Sequence, residues 1–339
     1  MKWEDHQVHH GPTLDPLSWA SFMSTWQFRL GWTITALVLI GLYALFWARA
    51  RRRAEPLSVW RLVMWVVGVA LLLYTMSSGI DAYAMALFWM HMTEHLMLIM
   101  VIPVFLVWGS PLRLIRANLS TQGQARFDVV MGKRSPIGWL FHPVVAFVIY
   151  TVVIVGTHLT GFMDDMAMDE RLMLLEQLLY LVSGWIFFTP LVGDEPLAWR
   201  FPTPGLIGLM MVGMMPDTIV GIVLMQSTVN VFPMYMAMRP DWATPAMKDL
   251  YYGGSMMWGV GDGLMMLFAL ILMFKIVANP RKEAVFGKWL EGARTAAFTD
   301  HLESGGESYQ SRDGDGSIDD DDEALAAYNR MLERLSRHD

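Results

Sequence analysis

The sequence predicts an all-α integral membrane protein: a bundle of seven transmembrane helices followed by a disordered acidic tail. Three observations predict it. The chain of 339 residues is 54% hydrophobic and only 17% charged, against about 25% charged in an average soluble domain. Seven apolar runs approach the ~20 residues that a helix needs to cross the hydrocarbon core. Lys and Arg concentrate in alternate loops, the asymmetry that sets orientation in a membrane. The same composition excludes other classes. With no Cys, a disulfide scaffold, a thiolate metal site and a cysteine nucleophile are all ruled out. With a net charge of −7, the chain lacks the basic excess that nucleic acid binding requires.

Residues 1–25 are polar and carry His6, His9 and His10, with no basic stretch ahead of an apolar core, so they read as an extracytoplasmic N-terminal segment and not as a signal peptide. The first run, 26–48, closes on a strongly basic loop with Arg49, Arg51, Arg52 and Arg53; the second is 59–78. The third, 82–107, contains His91, Glu94 and His95 and precedes a loop with Arg113, Arg116, Arg126, Lys133 and Arg134. The fourth, 142–161, opens at His142-Pro143 and carries His158 at its far end. The fifth, 171–191, holds Glu176 and Gln177; the sixth, 204–226, holds Asp217; the seventh, 249–277, holds Asp249 and Asp262 and is followed by Arg281 and Lys282. Loop 161–170 has no basic residue and carries Asp164, Asp165, Asp169 and Glu170. The seven-helix domain, 26–278, is therefore expected to place its N-terminus outside and its C-terminus in the cytoplasm. The negative charge is mainly a property of the tail, 279–339. Gly, Ser and Asp over 299–322 predict disorder. Leu325, Tyr328, Leu332 and Leu335 at helical spacing predict a short amphipathic helix over 323–337.

Ionisable groups inside a span are expensive, so they are functional candidates by default. His91 and His95 are four apart and lie on one helix face, about 6 Å apart. Two imidazoles so placed can reach one metal, and packing alone explains such a pair poorly. Helix counting from Ala82 puts His91 in the outer half of the membrane and His95 near its middle. His158, Glu176, Gln177, Asp217 and Asp249 fall mostly in the same outer half, with Asp262 deeper. The polar groups of five helices thus predict one site facing the extracytoplasmic side, although any single Asp serves as readily for hydrogen bonds between helices. Thioethers suit soft metals such as Cu(I), so Met234, Met236 and Met238, together with Met163, Met166 and Met168, are further candidates on the outer side; the other role for Met is flexible apolar filling. His91-Met-Thr-Glu94-His95 also fits the H-x-x-E-H pattern of inverted zinc proteases, in which Glu94 would be the general base.

The run from His91 through Pro103, followed by Trp108-Gly-Ser-Pro-Leu112, resembles the CtaG family of assembly factors for caa3-type cytochrome c oxidase. His142-Pro143, His158-Leu159, the stretch from Leu174 through Gln177, Trp185 through Pro190, and Asp249-Leu-Tyr-Tyr-Gly253-Gly254 leading to Trp258 and Asp262 continue the resemblance over about residues 26–277. It implies seven spans, a role in maturing haem–copper oxidase that involves copper supply, and no established catalytic turnover. The family's histidines carry over to His91, His95, His142 and His158. Two positions depart from the pattern: Gln177 stands where a His follows the Glu, and Asp262 stands where Glu is frequent. The leading expectation is a non-enzymatic, copper-handling assembly factor in the lipid bilayer, with cytochrome c oxidase subunits as partners and a copper chaperone as donor. Its metal ligands would be His91, His95, His158, Met234, Met236 and Met238, with Glu94, Glu176, Gln177, Asp217, Asp249 and Asp262 in supporting positions. The alternatives are a proton-coupled or metal transporter working through Asp217 and Asp262, and the intramembrane zinc protease.

Overall fold

A computed structural model describes residues 14–52, 57–199, 201–237 and 239–277. His6, His9, His10, Met238 and the tail, 279–339, lie outside the described residues, and so do the disorder and the amphipathic helix expected of that tail. The chain divides into two units, Met1–Leu270 and Ile271–Asp339. Of the second, residues 271–277 are described, and they are helical.

Every regular element among the described residues is a helix. The long ones are α1 (Leu30–Arg51), α2 (Val59–Ser77), α3 (Phe88–Asn118), α4 (Pro143–His158), α5 (Glu170–Val192), α6 (Pro204–Gln226) and α7 (Ala246–Phe274). All but α4 are long and apolar enough to cross a membrane. At 16 residues, α4 spans only about 24 Å. The chain then bends by 70° into a short helix, Phe162–Met168. Among the described residues the count is thus six spans, or seven with this bent pair, where the sequence predicts seven. The third segment also begins later than hydropathy implied. Residues 82–84 belong to a separate short helix, Gly79–Ala84, capped by Ser78 and fixed by an Arg29–Asp81 ion pair; α3 starts at Phe88.

The helix α3 is the hub. Two-thirds of its most apolar window is buried (67%), against 11% for α1. It packs on α2, α5 and α7; α4 joins α5 to α6, and α6 closes onto α7, while α1 lies outside α2. The outward faces present apolar side chains such as Leu37, Val152 and Leu270, which lipid solvates as well as a protein core would. Small residues set the crossings, as van der Waals packing in lipid requires. A Cβ on Gly184 of α5 would lie 2.0 Å from the Ile99 carbonyl oxygen of α3, and one on Gly221 of α6 would lie 2.7 Å from the Gly254 carbonyl of α7. The α3–α5 crossing has a local cause. Pro103 has no N–H to give to Ile99, four residues back. The turn Met97–Val101 widens to a π-turn closed by Ile102 N–H on the Met97 carbonyl.

Three carboxylates from remote segments cap helix N-termini, where backbone N–H groups lack partners within the helix. Asp249 accepts from the Phe88 and Trp89 N–H groups of α3 at 2.7 and 3.2 Å, and Arg239 lies 3.0 Å from it. Asp164 accepts from Met234 and Tyr235 at the start of Pro233–Ala237. Glu195 accepts from Leu112 and Arg113, where Ser110, in the left-handed region with φ 53°, starts the last turns of α3. Burial pushes the Glu195 carboxyl up to about 7, with the two N–H donors and the Arg113 and Arg61 charges opposing the shift. Burial likewise raises Asp81 to about 6 against the pull of Arg29.

Candidate metal centre

The later start of α3 moves its histidines toward one end of the bundle. His91 lies one turn into the helix and His95 a turn deeper. Across from them, Glu176 lies two turns into α5. His158 is the last residue of α4. All four are buried, at 3% exposure or less. The 3.6-residue period puts His91 and His95 on one face, with ring centroids 4.2 Å apart. The Glu176 carboxylate bridges the pair: Oε2 is 3.5 Å from His91 Nε2 and Oε1 is 3.5 Å from His95 Nε2.

One ligand atom from each of His91, His95 and Glu176 lies within 4.8 Å of the others. Neither ring nitrogen of either histidine, nor either oxygen of Glu176, has a hydrogen-bond partner in the protein. Buried polar groups normally have such partners, and the exceptions call for a physical reason. A bound cation is one. The 3.5 Å separations are ones that a single ion can span, because nitrogen and oxygen ligands sit about 2.0–2.2 Å from a zinc-like metal. Imidazole suits Zn, Cu, Fe and Ni. The donor set therefore fits a d-block cation. Bound there, such an ion would act as a Lewis acid or as transferable cargo, with His91, His95 and Glu176 as its holders.

The surroundings keep this constellation rigid. Tyr180, one turn beyond Glu176, stacks on His95 with centroids 4.0 Å apart, and its hydroxyl lies 2.7 Å from Thr157 Oγ1. Gln177 Nε2 donates to Glu94 Oε1 at 2.8 Å, so Glu94 points to an amide and not into the three-residue cluster. Tyr235 sits 5.8 Å from His91 and its hydroxyl donates to the Ala84 carbonyl, which covers the end of the site.

The other candidates disperse. His158 is near His95, at 5.2 Å between centroids, but its Nε2 faces Met92 Sδ at 3.3 Å. Met234 is half exposed, and the Met236 sulfur accepts from Arg239 Nη1 at 3.1 Å; the loop expected to supply thioethers instead brings Tyr235 to the site. Asp217 accepts from Tyr150 at 3.0 Å, Asp262 accepts from Thr218 at 2.6 Å, and Asp249 is the α3 cap. Sequence reasoning missed Met92, Thr157 and Tyr180. The i, i+4 relation of Tyr180 to Glu176 was a usable signal; nothing in the sequence marked Met92 among 29 methionines.

A seven-helix body with buried histidines and a carboxylate converging near one end defines a polytopic membrane protein with a candidate metal centre. The family comparison is specific: residues 41–279 match the model of the cytochrome c oxidase caa3 assembly factors. The chain belongs to this family. It is also similar to an uncharacterised protein of Mycobacterium bovis and one of Mycobacterium tuberculosis, each 31% identical over 95% of this chain and 46% of theirs. A third, uncharacterised protein, of Mycobacterium leprae, is 28% identical over 93% of this chain and 45% of its own length. The chain spans about half the length of these relatives. No solved structure is significantly similar to it.

Proposed function

We propose that the protein assists the assembly of a haem–copper oxidase by holding copper at His91, His95 and Glu176 on the extracytoplasmic side of a bacterial plasma membrane, and that it does so without catalytic turnover. The observation that carries this reading is the convergence of two imidazoles and a carboxylate whose polar atoms have no other partner in the protein. Family membership supplies the assembly context. The basic loops after the first and third spans support an outer position for the opposite end of the bundle, where the cluster lies. Oxidase subunits and a copper chaperone are the partners this role requires. The test is the copper content of the oxidase in cells lacking the protein. Loss of oxidase copper, restored by the wild type and not by His91→Ala plus His95→Ala, is the expected result; full copper loading without the protein overturns the proposal.

A second reading has one observation in its favour. Glu176 provides the third ligand that the H-x-x-E-H pattern of a zinc protease needs. Two others weigh against it: Glu94 is bonded to Gln177, and all three cluster residues are buried, at 3% exposure or less. Proteolysis of any membrane substrate that is lost in Glu94→Gln would favour this reading. A transporter working through Asp217 and Asp262 has less support: Asp217 accepts from Tyr150 and Asp262 Oδ2 from Thr218, and the one unpartnered oxygen, Asp262 Oδ1, is not joined by a second such atom from Asp217.

A further inference from the structure

His158 and Met92 carry the second metal argument of the molecule. Both are buried, at 2% and 0% exposure. His158 Nδ1 lies 2.9 Å from the Ile154 carbonyl oxygen, one turn back on the same helix. A carbonyl only accepts, so this contact assigns the ring proton to Nδ1. The hydroxyls of Thr157 and Tyr180, each 3.1 Å from Nδ1, have other acceptors: Thr157 Oγ1 donates to Val153, and Tyr180 OH has Thr157 Oγ1 at 2.7 Å. Nε2 of the neutral ring then bears the lone pair. It faces Met92 Sδ at 3.3 Å, and a thioether sulfur is also only an acceptor. Two lone pairs held face to face between two buried side chains repel each other, and a cation between them removes that repulsion. Imidazole nitrogen and thioether sulfur are a soft donor pair, of the kind that selects Cu(I). Nitrogen and sulfur ligands sit about 2.0 and 2.3 Å from a metal, so a 3.3 Å separation is one that a single ion spans.

We propose that His158 Nε2 and Met92 Sδ form a second, softer metal position that takes Cu(I) beside the His91–His95–Glu176 cluster. Met92 directly follows His91 on α3, so one helix turn presents a ligand to each position. The inference rests on the copper-handling reading and deepens it: the imidazole–carboxylate cluster is the borderline position and the imidazole–thioether pair the soft one, with His95 and His158 rings 5.2 Å apart.

X-ray absorption at the copper edge tests it on the full chain in detergent, loaded anaerobically with Cu(I). The wild type is expected to show a sulfur neighbour at about 2.3 Å. Met92→Leu, which preserves volume, is expected to lose that neighbour and to bind Cu(I) at least about tenfold more weakly, the scale of a lost supporting group at a metal, while binding Zn(II) as the wild type does. Wild-type copper with only nitrogen and oxygen neighbours overturns the inference independently of any variant. So does a sulfur neighbour that survives Met92→Leu. His91→Ala plus His95→Ala separates the two proposals. If that variant keeps Zn(II) while Met92→Leu removes the sulfur, the three-residue site fails and the soft position stands. If it loses Zn(II) while the sulfur survives Met92→Leu, the soft position alone fails.

Discussion

Three side chains, His91, His95 and Glu176, meet with no hydrogen bond from the protein to their polar atoms. The histidine pair was legible in the sequence because i, i+4 spacing fixes two residues on one helix face whatever the surrounding fold. Glu176 was legible only as one buried acid among several, and its approach to both rings comes from the α3–α5 crossing, which no local pattern encodes. Met92 was illegible for a different reason: methionine fills cores everywhere, and only its contact with His158 sets this one apart. Glu176→Gln keeps the shape and removes the charge. It is expected to weaken divalent metal binding by about one to two orders of magnitude, the cost of a disturbed ligand set, with the helical circular dichroism unchanged; calorimetric titration with Zn(II) measures it.

Among the elements, hydropathy located the long helices but misplaced the start of α3 and the character of α4. Residues 82–84 are apolar enough to extend α3, yet the Arg29–Asp81 pair and the Ser78 cap hold them in a separate turn. Asp249 showed in the sequence as a buried acid, which it is, and its role is that of the N-terminal cap of α3, delivered from α7. Asp249→Ala removes the cap and leaves Arg239, 5% exposed, without its carboxylate. Breaking a buried pair in this way costs about 3–5 kcal/mol. Gly184→Ala forces a methyl onto the Ile99 carbonyl and is expected to cost about 1–3 kcal/mol as overpacking. Thermal unfolding in detergent checks both, with metal binding falling in Gly184→Ala because α5 carries Glu176. The Glu195 cap gives a pH dependence. Its folded pKa, raised to about 7 from the usual 4.5, means that the folded protein holds the proton more tightly, so stability falls as pH rises from 4.5 to 7. Asp81, raised to about 6 from 3.8, acts with the same sign. The melting temperature is expected to decline over this window, and Glu195→Gln is expected to flatten the decline.

For the whole molecule, fold class followed from the apolar composition, the bilayer-length apolar runs and the alternating basic loops together; family membership followed from residues spread along the membrane body. The orientation rests on the basic loops and is directly testable, since the chain has no Cys to compete with an introduced label. Thr160→Cys, beside His158, is expected to react with a membrane-impermeant maleimide added outside intact cells, and Thr121→Cys, in the basic loop after α3, only after lysis. The reverse pattern would put the His91–His95–Glu176 cluster on the cytoplasmic side. Most direct for the central claim is the metal content of the purified full chain, wild type against His91→Ala plus His95→Ala, after growth in excess copper. The account predicts bound copper in the wild type and its loss from the His91–His95–Glu176 position in the double variant. Background copper in the wild type, or the same content and the same nitrogen neighbours in both, would contradict it.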